Sequence, residues 1–520
     1  MVVKENIDLE HVLSKFSLTR MFYVKFLSLL LFSGVTNSFY NVNYVFAAAD
    51  VRYRCKYPEC DNKNSEVLNF TFDNRKCTKY ALLNEAEYCS VENIDLSRGT
   101  SCKEWVYEEK GSFVEELGTA CEDWKRTLVG TVHSFGYMIG LLIVGPLADK
   151  LGRKKLIVFS GITAATMGLG RSITSSYWVY VVLELIEALF GDTYSATFML
   201  GVEMVTKENR VIFITLMTAS TALAGIVMAL IAWALPYWRH FLRAIYGPSL
   251  FFIMYIFLLD ESVRWLLIKG QKEKGKEILK KAAEESRVEL NADNISIKCE
   301  DGSTKTDMVT LLKITFRSNK LMLRFLACVC MWITGIFNKY TLLINSVELE
   351  GNKYINFGLT TLSELPASFV LGFVLKKYKR KMPLIFSFIL TGIFCVGQSF
   401  VPKGNAWLSL ALFLIGKFMA TISYATVYLY TSELFPTYTR NTMHALCSSL
   451  GRIASILAPQ TPLLIHHWPG LPSVIVGGLS LVTGTVVIFM PETSEDVLPD
   501  TVREAEAIGT KFGPDTCTRL

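Results

Sequence analysis

Long apolar runs recur along the whole chain, and they limit the folds open to it more than any other feature. The first runs from residue 26 to 49 and the last from 474 to 490. About 20 apolar residues in a helix cross the hydrocarbon core of a bilayer. Hydrophobic residues make up 51% of the chain, and the mean hydropathy is +0.33. This pattern predicts an all-α membrane protein rather than a set of soluble domains.

The runs predict twelve transmembrane helices in two groups of six. The predicted spans lie near residues 21–47, 127–147, 156–175, 177–201, 211–235, 242–259, 321–346, 354–375, 382–401, 406–432, 441–466 and 470–490. Within the charged gap between the groups, Ile278, Leu279 and Ala282 share one helix face, so we expect a surface helix there. The expected segments are an N-terminus (1–20), a first helix (21–47), a loop (48–126), the rest of the first bundle (127–259), a linker (260–320), a second bundle (321–490) and a tail (491–520).

Lysines and arginines collect in alternate gaps between the spans. Two gaps are strongly basic, and they contain Lys150, Arg153, Lys154 and Lys155 in the first half and Lys376, Lys377, Lys379, Arg380 and Lys381 in the second. The positive-inside rule predicts that these gaps and both termini are cytoplasmic. The net charge of +6 forms no single face or stripe, so we expect a lipid bilayer as partner and no nucleic acid.

Half of the twelve cysteines lie in the long polar segment after the first span. They are Cys55, Cys60, Cys77, Cys89, Cys102 and Cys121. The charge pattern places this loop outside the cytoplasm, where disulfides persist, and fifteen pairings are open. Asn69 begins a glycosylation sequon in the same loop, whereas the sequon at Asn294 falls on the predicted cytoplasmic side and should stay unmodified. No cleavage pattern follows the first span, so we interpret it as a retained helix.

The two halves of the chain repeat one pattern. Matching residues are separated by 227, 230 and 231 positions, and the pairs are Gly145 to Arg153 with Gly372 to Arg380, Glu203 to Arg210 with Glu433 to Arg440, and Glu261 with Glu492. Such constant offsets predict that each half is a copy of one six-helix unit. Parallel repeats around a site near the middle of the membrane are a known transporter architecture.

The run from Gly145 to Lys155, GPLADKLGRKK, resembles the loop signature of the major facilitator superfamily. The tight turn requires Gly152, while Asp149 and Arg153 can pair with neighbouring charges and helix ends. The resemblance implies a conformational latch on the basic side. Its expected members are Gly145, Asp149, Gly152, Arg153, Glu203, Arg210, Glu261, Arg264, Glu433 and Arg440. The alternative is that the run is simply a basic loop that sets topology.

Within that superfamily the chain resembles the organic ion transporters, which include organic cation, organic anion and carnitine carriers. The likeness rests on the motifs CKEWVY at 102–107, CEDWK at 121–125, ESVRWL at 261–266, ELFPT at 433–437 and PET at 491–493. It implies a plasma-membrane carrier that moves small organic ions by alternating access, with no enzyme activity and no cofactor. Sugar carriers share some of these motifs but lack the long cysteine-rich loop.

The sequence also departs from this family. Glu184 stands in the fourth span where relatives usually have a basic residue, and Lys376 and Lys379 stand where the signature has an acid and a glycine. We therefore expect the second latch to be degenerate.

Charged residues inside membrane spans are costly and therefore mark functional sites. Four stand out in the sequence, namely Glu184, Lys339, Glu364 and Arg452. Arg452 falls where the anion and carnitine carriers of the family have arginine and the cation carriers have aspartate. A guanidinium can bind a carboxylate or sulfate through two hydrogen bonds, and Lys339 would add positive potential, so we expect an anion or a zwitterion as substrate.

Other interpretations remain open at this stage. Glu364 lies in a pattern seen in cation carriers and could bind an amine. Arg452 or Lys339 could instead neutralise Glu364 or Glu184 in a buried pair without contacting substrate. The resemblance also places Asn41, Tyr340, Tyr424 and Tyr428 at the cavity wall, although ordinary packing explains each of them equally well.

Further chemistry finds little support. The run GQKEKGKE at 270–277 nearly matches a phosphate-binding loop, but Glu277 replaces the magnesium-binding Ser or Thr. His466 and His467 are adjacent and do not share a helix face, so we expect no metal site. A receptor that uses the cysteine-rich loop, and less plausibly a channel, are the alternatives from other classes of protein.

Overall fold

The structure is a computed structural model. It describes residues 7–8, 20–57, 77–82, 94–206, 209–286, 295–296, 317–402, 404–435, 440–493, 505–506 and 508. Asn69, Cys60, Cys89 and Asn294, which the sequence analysis singled out, lie outside the described residues.

Helices lie at all twelve predicted positions, and we number the spans in chain order. Their bounds, with breaks joined by "and", are Met21–Val42 and Tyr44–Ala47; Asp123–Leu151; Arg153–Arg171; Tyr177–Phe190 and Tyr194–Met204; Arg210–Ala234; Trp238–Tyr246, the 3-10 segment Gly247–Met254 and Tyr255–Leu258; Asn319–Asn345; Lys353–Leu362 and Glu364–Lys377; Lys381–Ser399; Ala406–Leu434; Arg440–Leu457 and the 3-10 segment Ala458–His466; and Leu471–Ile488. Within the described part of the chain, nine helices are long and apolar enough to cross a membrane. The fold is therefore the predicted all-α membrane architecture.

The breaks in the spans have local causes. In the fourth span, Asp192 accepts hydrogen bonds from the Tyr194 backbone nitrogen at 3.1 Å and the Ser195 hydroxyl at 2.6 Å, and so caps the second helical segment. In the eleventh span, Pro459 and Pro462 have no backbone N–H to donate, and the helix continues as a 3-10 segment. These breaks place polar backbone and side chains inside the bundle.

Each half packs as a helical bundle, and the halves meet along a few helices. The second span packs on the fourth in the first half, and the ninth packs on the tenth and twelfth in the second half. Between the halves, the fifth span packs on the eighth and the second on the eleventh. This pairing places the boundary of the two repeats at the centre of the molecule.

We call the end that carries the cysteine-rich loop the loop end, and the opposite end, with the two basic turns, the latch end. Among the described residues, polar contacts between the halves cluster at the loop end. Thr127 Oγ1 and Gln460 Oε1 are 3.0 Å apart, and Gln460 Nε2 donates to Thr131 Oγ1 at 2.6 Å. His466 also lies 3.2 Å from Asp123. The loop end is therefore closed in this conformation.

The cysteine-rich loop contains two short antiparallel strand pairs. Strand β2 (Tyr53–Cys55) pairs with β5 (Trp105–Tyr107), and β3 (Thr78–Leu82) pairs with β4 (Ile94–Ser101); β1 (Ile7–Asp8) and β6 (Ile295–Ser296) form a separate parallel pair. Disulfides join Cys55 to Cys102 and Cys77 to Cys121. Two of the pairings that the sequence left open are therefore assigned.

The linker between the halves forms the helix Lys272–Ser286. Its face carrying Leu279 and Ala282 is buried, and Ile278 packs partly against the same core of the first half. Lys281 Nζ contacts Asp260 Oδ2 at 2.8 Å and so ties this helix to the end of the sixth span.

Candidate functional site

The basic turn between the second and third spans forms an ion-pair network at the latch end. Arg153 Nη2 lies 2.9 Å from Asp149 Oδ1 and 2.9 Å from Glu203 Oε1. The Glu261 carboxylate accepts from the Arg153 backbone nitrogen at 2.9 Å and from the Lys154 backbone nitrogen at 3.2 Å. One arginine thus joins the ends of the second, fourth and sixth spans.

The turn itself depends on Gly152. Its φ of +102° is in the left-handed region that favours glycine, and a Cβ there would lie 2.3 Å from Glu261 Oε2. Any side chain at this position would push Glu261 away from the backbone nitrogens that it accepts from.

The second latch is complete in its main contacts, so the expectation that it is degenerate is wrong. Arg380 Nε lies 3.2 Å from Glu433 Oε1, and the Glu492 carboxylate accepts from the Arg380 backbone nitrogen at 2.9 Å and the Lys381 backbone nitrogen at 3.1 Å. Thr493 Oγ1 adds a bond to Glu433 Oε2 at 2.8 Å. The counterpart of Asp149 is Lys376, and the arginine network forms without an acid there.

The two latches match atom for atom in one further contact. Arg153 Nη1 donates to the Ala148 carbonyl at 3.2 Å, and Arg380 Nη1 donates to the Leu375 carbonyl at 2.9 Å, in each case five residues back. This shared geometry explains the constant offsets found in the sequence, because the arginine and the two glutamates have the same roles in both turns.

Other predicted latch residues make fewer contacts with the two ion-pair networks. Arg264 is exposed, and Arg210 and Arg440 begin the fifth and eleventh spans. In the described part of the chain, neither Arg210 nor Arg264 is recorded in an ion pair with the network around Arg153. Gly145 is exposed, and a Cβ there would meet nothing within 4 Å.

Arg452 occupies a half-buried position on the eleventh span. Its Nη1 donates to the Tyr340 hydroxyl at 3.4 Å, and its guanidinium carbon lies 5.2 Å from the centroid of the Tyr137 ring. Nε is buried and lacks a hydrogen-bond partner among the described residues. Because Tyr137 is on the second span, Arg452 lies at the boundary between the two halves.

Lys339 is next to Tyr340 on the seventh span. Its ammonium lies 5.0 Å from the centroid of the Tyr424 ring on the tenth span. Over the part of the chain that the structure describes, neither Lys339 nor Arg452 has a carboxylate within 4.0 Å. A lysine over an aromatic face gains some attraction from the ring but keeps its full charge.

Glu364 is paired with Lys417, a residue that the sequence analysis missed. Lys417 Nζ lies 3.0 Å from Glu364 Oε1 and 3.2 Å from the Lys339 carbonyl oxygen. Lys417 is buried within the tenth span, and a buried ion pair of this kind can be strongly held. The interpretation that Arg452 or Lys339 neutralises Glu364 is therefore not what the structure contains.

Glu184 also has a different partner from the one considered. It forms ion pairs with Arg171 of the third span and with His133 of the second, the latter at 2.8 Å between Nδ1 and Oε1. Glu187 pairs with the same Arg171. These residues lie wholly within the first half, and Glu184 contacts neither Arg452 nor Lys339.

The remaining predicted cavity residues are only partly brought together. Tyr340 and Tyr424 contact the two cations, as described above. Tyr428 is 56% exposed and lies 4.3 Å from the His444 ring, between ring centroids. Asn41 donates to the Asn37 carbonyl at 2.9 Å within its own helix, so its amide is partly used by the first span.

The sequence contained the signal for the residues that were missed. His133, Arg171, Glu187 and Lys417 all lie inside predicted spans, and in-span charges were the criterion. Arg171 is close to the end of its predicted span, whereas Glu187 and Lys417 lie near the middle of theirs. What the sequence could not give was the partner of each charge.

The sequence model described as the Major Facilitator Superfamily matches residues 123–459. Curated relatives match along nearly the whole chain at 27–28% identity. The "Organic cation transporter protein" of Drosophila melanogaster is 28% identical over 94% of this chain and 92% of its own length. The human "Organic cation/carnitine transporter 2" is 27% identical over 91% of this chain and 89% of its own length. The predicted resemblance to organic ion transporters is confirmed.

Solved structures of similar fold include bacterial xylose transporters. A D-xylose-proton symporter gives a TM-score of 0.57 at 16% identity, over 75% of this chain and 94% of that one. The E. coli xylose transporter in a partially occluded, inward-open conformation also gives 0.57, at 13% identity, over 91% of this chain and 99% of that one. At these identities the likeness concerns the fold alone.

Proposed function

Because this chain belongs to the major facilitator superfamily, we propose that it carries small organic anions or zwitterions across the plasma membrane by alternating access. Secondary transport and a multi-pass membrane location follow from the family and from its organic ion transporter relatives, and the chain is a transporter rather than an enzyme. The sign of the substrate charge, the membrane and the orientation are the proposed parts.

The observation that carries the proposal is the pair of cations without a carboxylate partner. Arg452 and Lys339 approach one another through Tyr340, which neighbours Lys339 in sequence and accepts from Arg452 at 3.4 Å. Glu364, the carboxylate that the sequence analysis grouped with these cations, is already neutralised by Lys417 at 3.0 Å. The site therefore has excess positive charge, which favours a carboxylate or sulfate group.

The aromatic rings around these cations support a ring-bearing or apolar substrate. Tyr137 comes from the first half, while Tyr340 and Tyr424 come from the second. A substrate held between Arg452 and Tyr137 would contact both halves at once. Rocking of the halves would then change its environment, as alternating access requires.

Charge and cysteine chemistry support the proposed orientation. The latch end carries the basic turns, and the positive-inside rule places it and both termini in the cytoplasm. The loop end carries disulfides, which persist outside the reducing cytoplasm. Together with the closed loop end, this orientation corresponds to a carrier open toward the cytoplasm.

The test is uptake by the purified protein in liposomes. Three labelled compounds that share one aromatic ring would be compared: a carboxylate, the corresponding amine and a zwitterion bearing both groups. We expect saturable uptake of the carboxylate or zwitterion without ATP. Arg452→Ala and Lys339→Ala should each reduce it roughly 10- to 100-fold, the range for losing a hydrogen bond to a charged group.

Two control variants sharpen the result. Lys320→Ala removes an exposed lysine from the start of the same seventh span and should leave uptake unchanged. Arg452→Lys keeps the charge but loses the planar two-pronged geometry, so it should retain part of the activity. Unchanged carboxylate uptake in both Arg452→Ala and Lys339→Ala would overturn the assignment of substrate charge.

The second candidate is an organic cation transporter. Relatives named as organic cation transporters favour it. Glu364 also favours it, provided that a cationic substrate can displace Lys417 from this carboxylate. The same panel decides, because this candidate requires the amine to be the preferred compound. A receptor that works through its cysteine-rich loop is the alternative of another class, and saturable flux in liposomes excludes it.

A further inference from the structure

A buried charge cluster lies in the first half, apart from the cations at the centre. We define it as His133, Arg171, Glu184 and Glu187, which come from the second, third and fourth spans. All four are buried: Arg171 and Glu184 are 0% exposed, Glu187 is 1% and His133 is 5%. Charges taken out of water to this extent must be balanced locally.

Ion-pair contacts and hydrogen bonds together account for all four oxygens of the two carboxylates. Arg171 contacts Glu184 Oε2 and Glu187 Oε2. Tyr246, from the sixth span, donates to Glu187 Oε1 at 2.7 Å and accepts from Arg171 Nη2 at 2.5 Å. The remaining oxygen, Glu184 Oε1, faces His133 Nδ1 at 2.8 Å.

The formal charges of the cluster do not balance without a proton. Two carboxylates face one guanidinium, so a neutral histidine leaves one negative charge uncompensated. Among the described residues no other cation lies within 4.0 Å of either carboxylate. Among the described residues, the other side chains in contact with the cluster are uncharged: Tyr44 from the first span, Tyr180 from the fourth and Tyr246 from the sixth, whose hydroxyl also accepts from Asn43.

We propose that this cluster binds one proton, held in the hydrogen bond between His133 Nδ1 and Glu184 Oε1, and that transport depends on its occupancy. The proton brings the formal charge of the cluster to zero whether it resides on the imidazole or on the carboxyl group. His133 Nε2 is buried with no partner among the described residues, so the ring retains a polar atom that can exchange a proton when water gains access.

The second span connects this proton site with the substrate site. His133 and Tyr137 are one helical turn apart on the same face, and the Arg452 guanidinium carbon lies 5.2 Å from the Tyr137 ring centroid. On the same face toward the loop end, a Cβ on Gly130 would lie 2.8 Å from the Pro459 side chain. Separation of the second and eleventh spans would therefore open the surroundings of His133.

The inference rests on the proposed transport function, and its test begins with the ratio of uptake at pH 6 to uptake at pH 8 in liposomes buffered equally on both sides. In the unchanged protein we expect uptake to fall about threefold or more as pH rises, because a growing share of clusters loses the proton. Glu184→Gln leaves one carboxylate facing one guanidinium, which balances without a proton. Its ratio should therefore be close to one.

One control variant should keep the ratio of the unchanged protein. His466→Asn removes the histidine that lies 3.2 Å from Asp123 at the loop end, which is the other histidine–carboxylate pair among the described residues. If His466→Asn rather than Glu184→Gln abolished the pH dependence, the proton site would be at the loop end and the proposal would be overturned.

A second readout needs no transport. Proton binding to the folded protein at this site stabilises it at low pH, and that stabilisation is lost as pH rises. The thermal midpoint of the purified protein should be lower at pH 8 than at pH 6. The thermal midpoint of the Glu184→Gln variant should decrease less over the same range. If no uptake occurred at any pH but the two proteins still differed in the pH dependence of their thermal midpoints, the transport function alone would be contradicted. Normal uptake with identical pH profiles for both proteins would overturn the proton site alone.

Discussion

Lys417 Nζ lies 3.0 Å from Glu364 Oε1 within the second half, and the Lys417 side chain is buried. The carboxylate that could have bound an amine is therefore already occupied by a residue of the chain itself. On the proposed function, this leaves Arg452 and Lys339 to determine the sign of the site. Selectivity then depends on which charges the protein neutralises internally as well as on which charges it contains.

Lys417→Met should shift selectivity toward cations. The change frees Glu364 inside the bundle. An unpaired, partly buried carboxylate both attracts an amine and destabilises the fold, by up to about 3 kcal/mol. Uptake of the matched amine relative to the carboxylate would be measured alongside the thermal midpoint. The double variant Lys417→Met with Glu364→Gln should recover stability without gaining amine uptake. A folded Lys417→Met protein with unaltered selectivity would contradict this role for the pair.

The two latches should be of similar importance. Arg153→Ala and Arg380→Ala remove equivalent contacts to Glu203 and Glu433, and we expect each to lower uptake by roughly fivefold to tenfold, since each leaves a partly buried glutamate without its partner. Lys154→Ala is the matched control, because Lys154 contributes its backbone nitrogen to the network. If Arg153→Ala lowered uptake and Arg380→Ala did not, the interpretation that the second latch is degenerate would be restored.

We expect Gly145 and Gly372 to allow the two halves to approach each other when the latch end closes. Both have open space where a Cβ would be, and they occupy equivalent places in the two repeats, at the latch ends of the second and eighth spans. Gly145→Leu and Gly372→Leu should slow transport while leaving folding intact, because a side chain would obstruct the approach of the halves. Gly397→Leu, in the ninth span with equally open space, serves as control. Equal uptake by all three variants would argue against close approach at these positions.

Peptide mapping should find the disulfides Cys55–Cys102 and Cys77–Cys121. Cys55 lies on β2 and Cys102 directly follows β4, while Cys77 directly precedes β3 and the Cys121 backbone nitrogen donates to the Tyr53 hydroxyl on β2 at 2.9 Å. Both disulfides therefore depend on the strand pairs of the loop. Digestion without reduction, followed by mass spectrometry, identifies the linked peptides directly. A linkage of Cys55 to Cys77 would contradict the strand pairing.

The fold was predictable because its causes are local in the sequence. Runs of apolar residues predicted the spans. The offsets between Arg153 and Arg380 and between Glu203 and Glu433 indicated the repeat. The second latch was misjudged for a physical reason. Its arginine binds Glu433 and the Leu375 carbonyl and does not require the acid that Lys376 replaces, so a missing signature residue did not imply a missing contact.

The charges at the site were predictable as residues but not as pairs. Lys417 and Glu364 lie on different spans, 53 positions apart in the sequence, and only packing of the eighth span against the tenth brings them together. The same holds for Glu184, which Arg171 and His133 reach from two neighbouring helices. Helix periodicity indicates which face a residue occupies but not which neighbour that face meets.

The most direct test of the account is the accessibility of a cysteine at Tyr340 from the two sides of the membrane. The cysteines outside the cysteine-rich loop, namely Cys299, Cys328, Cys330, Cys395, Cys447 and Cys517, would first be replaced. Lys320→Cys and Glu108→Cys would serve as markers for the latch and loop sides. We predict that an impermeant thiol reagent modifies Tyr340→Cys from the latch side without substrate, and that substrate or Gly145→Leu changes the rate from that side relative to the loop side. A cysteine sealed from both sides, or reached at one unchanging rate from one side only, would contradict a central site that faces each side in turn.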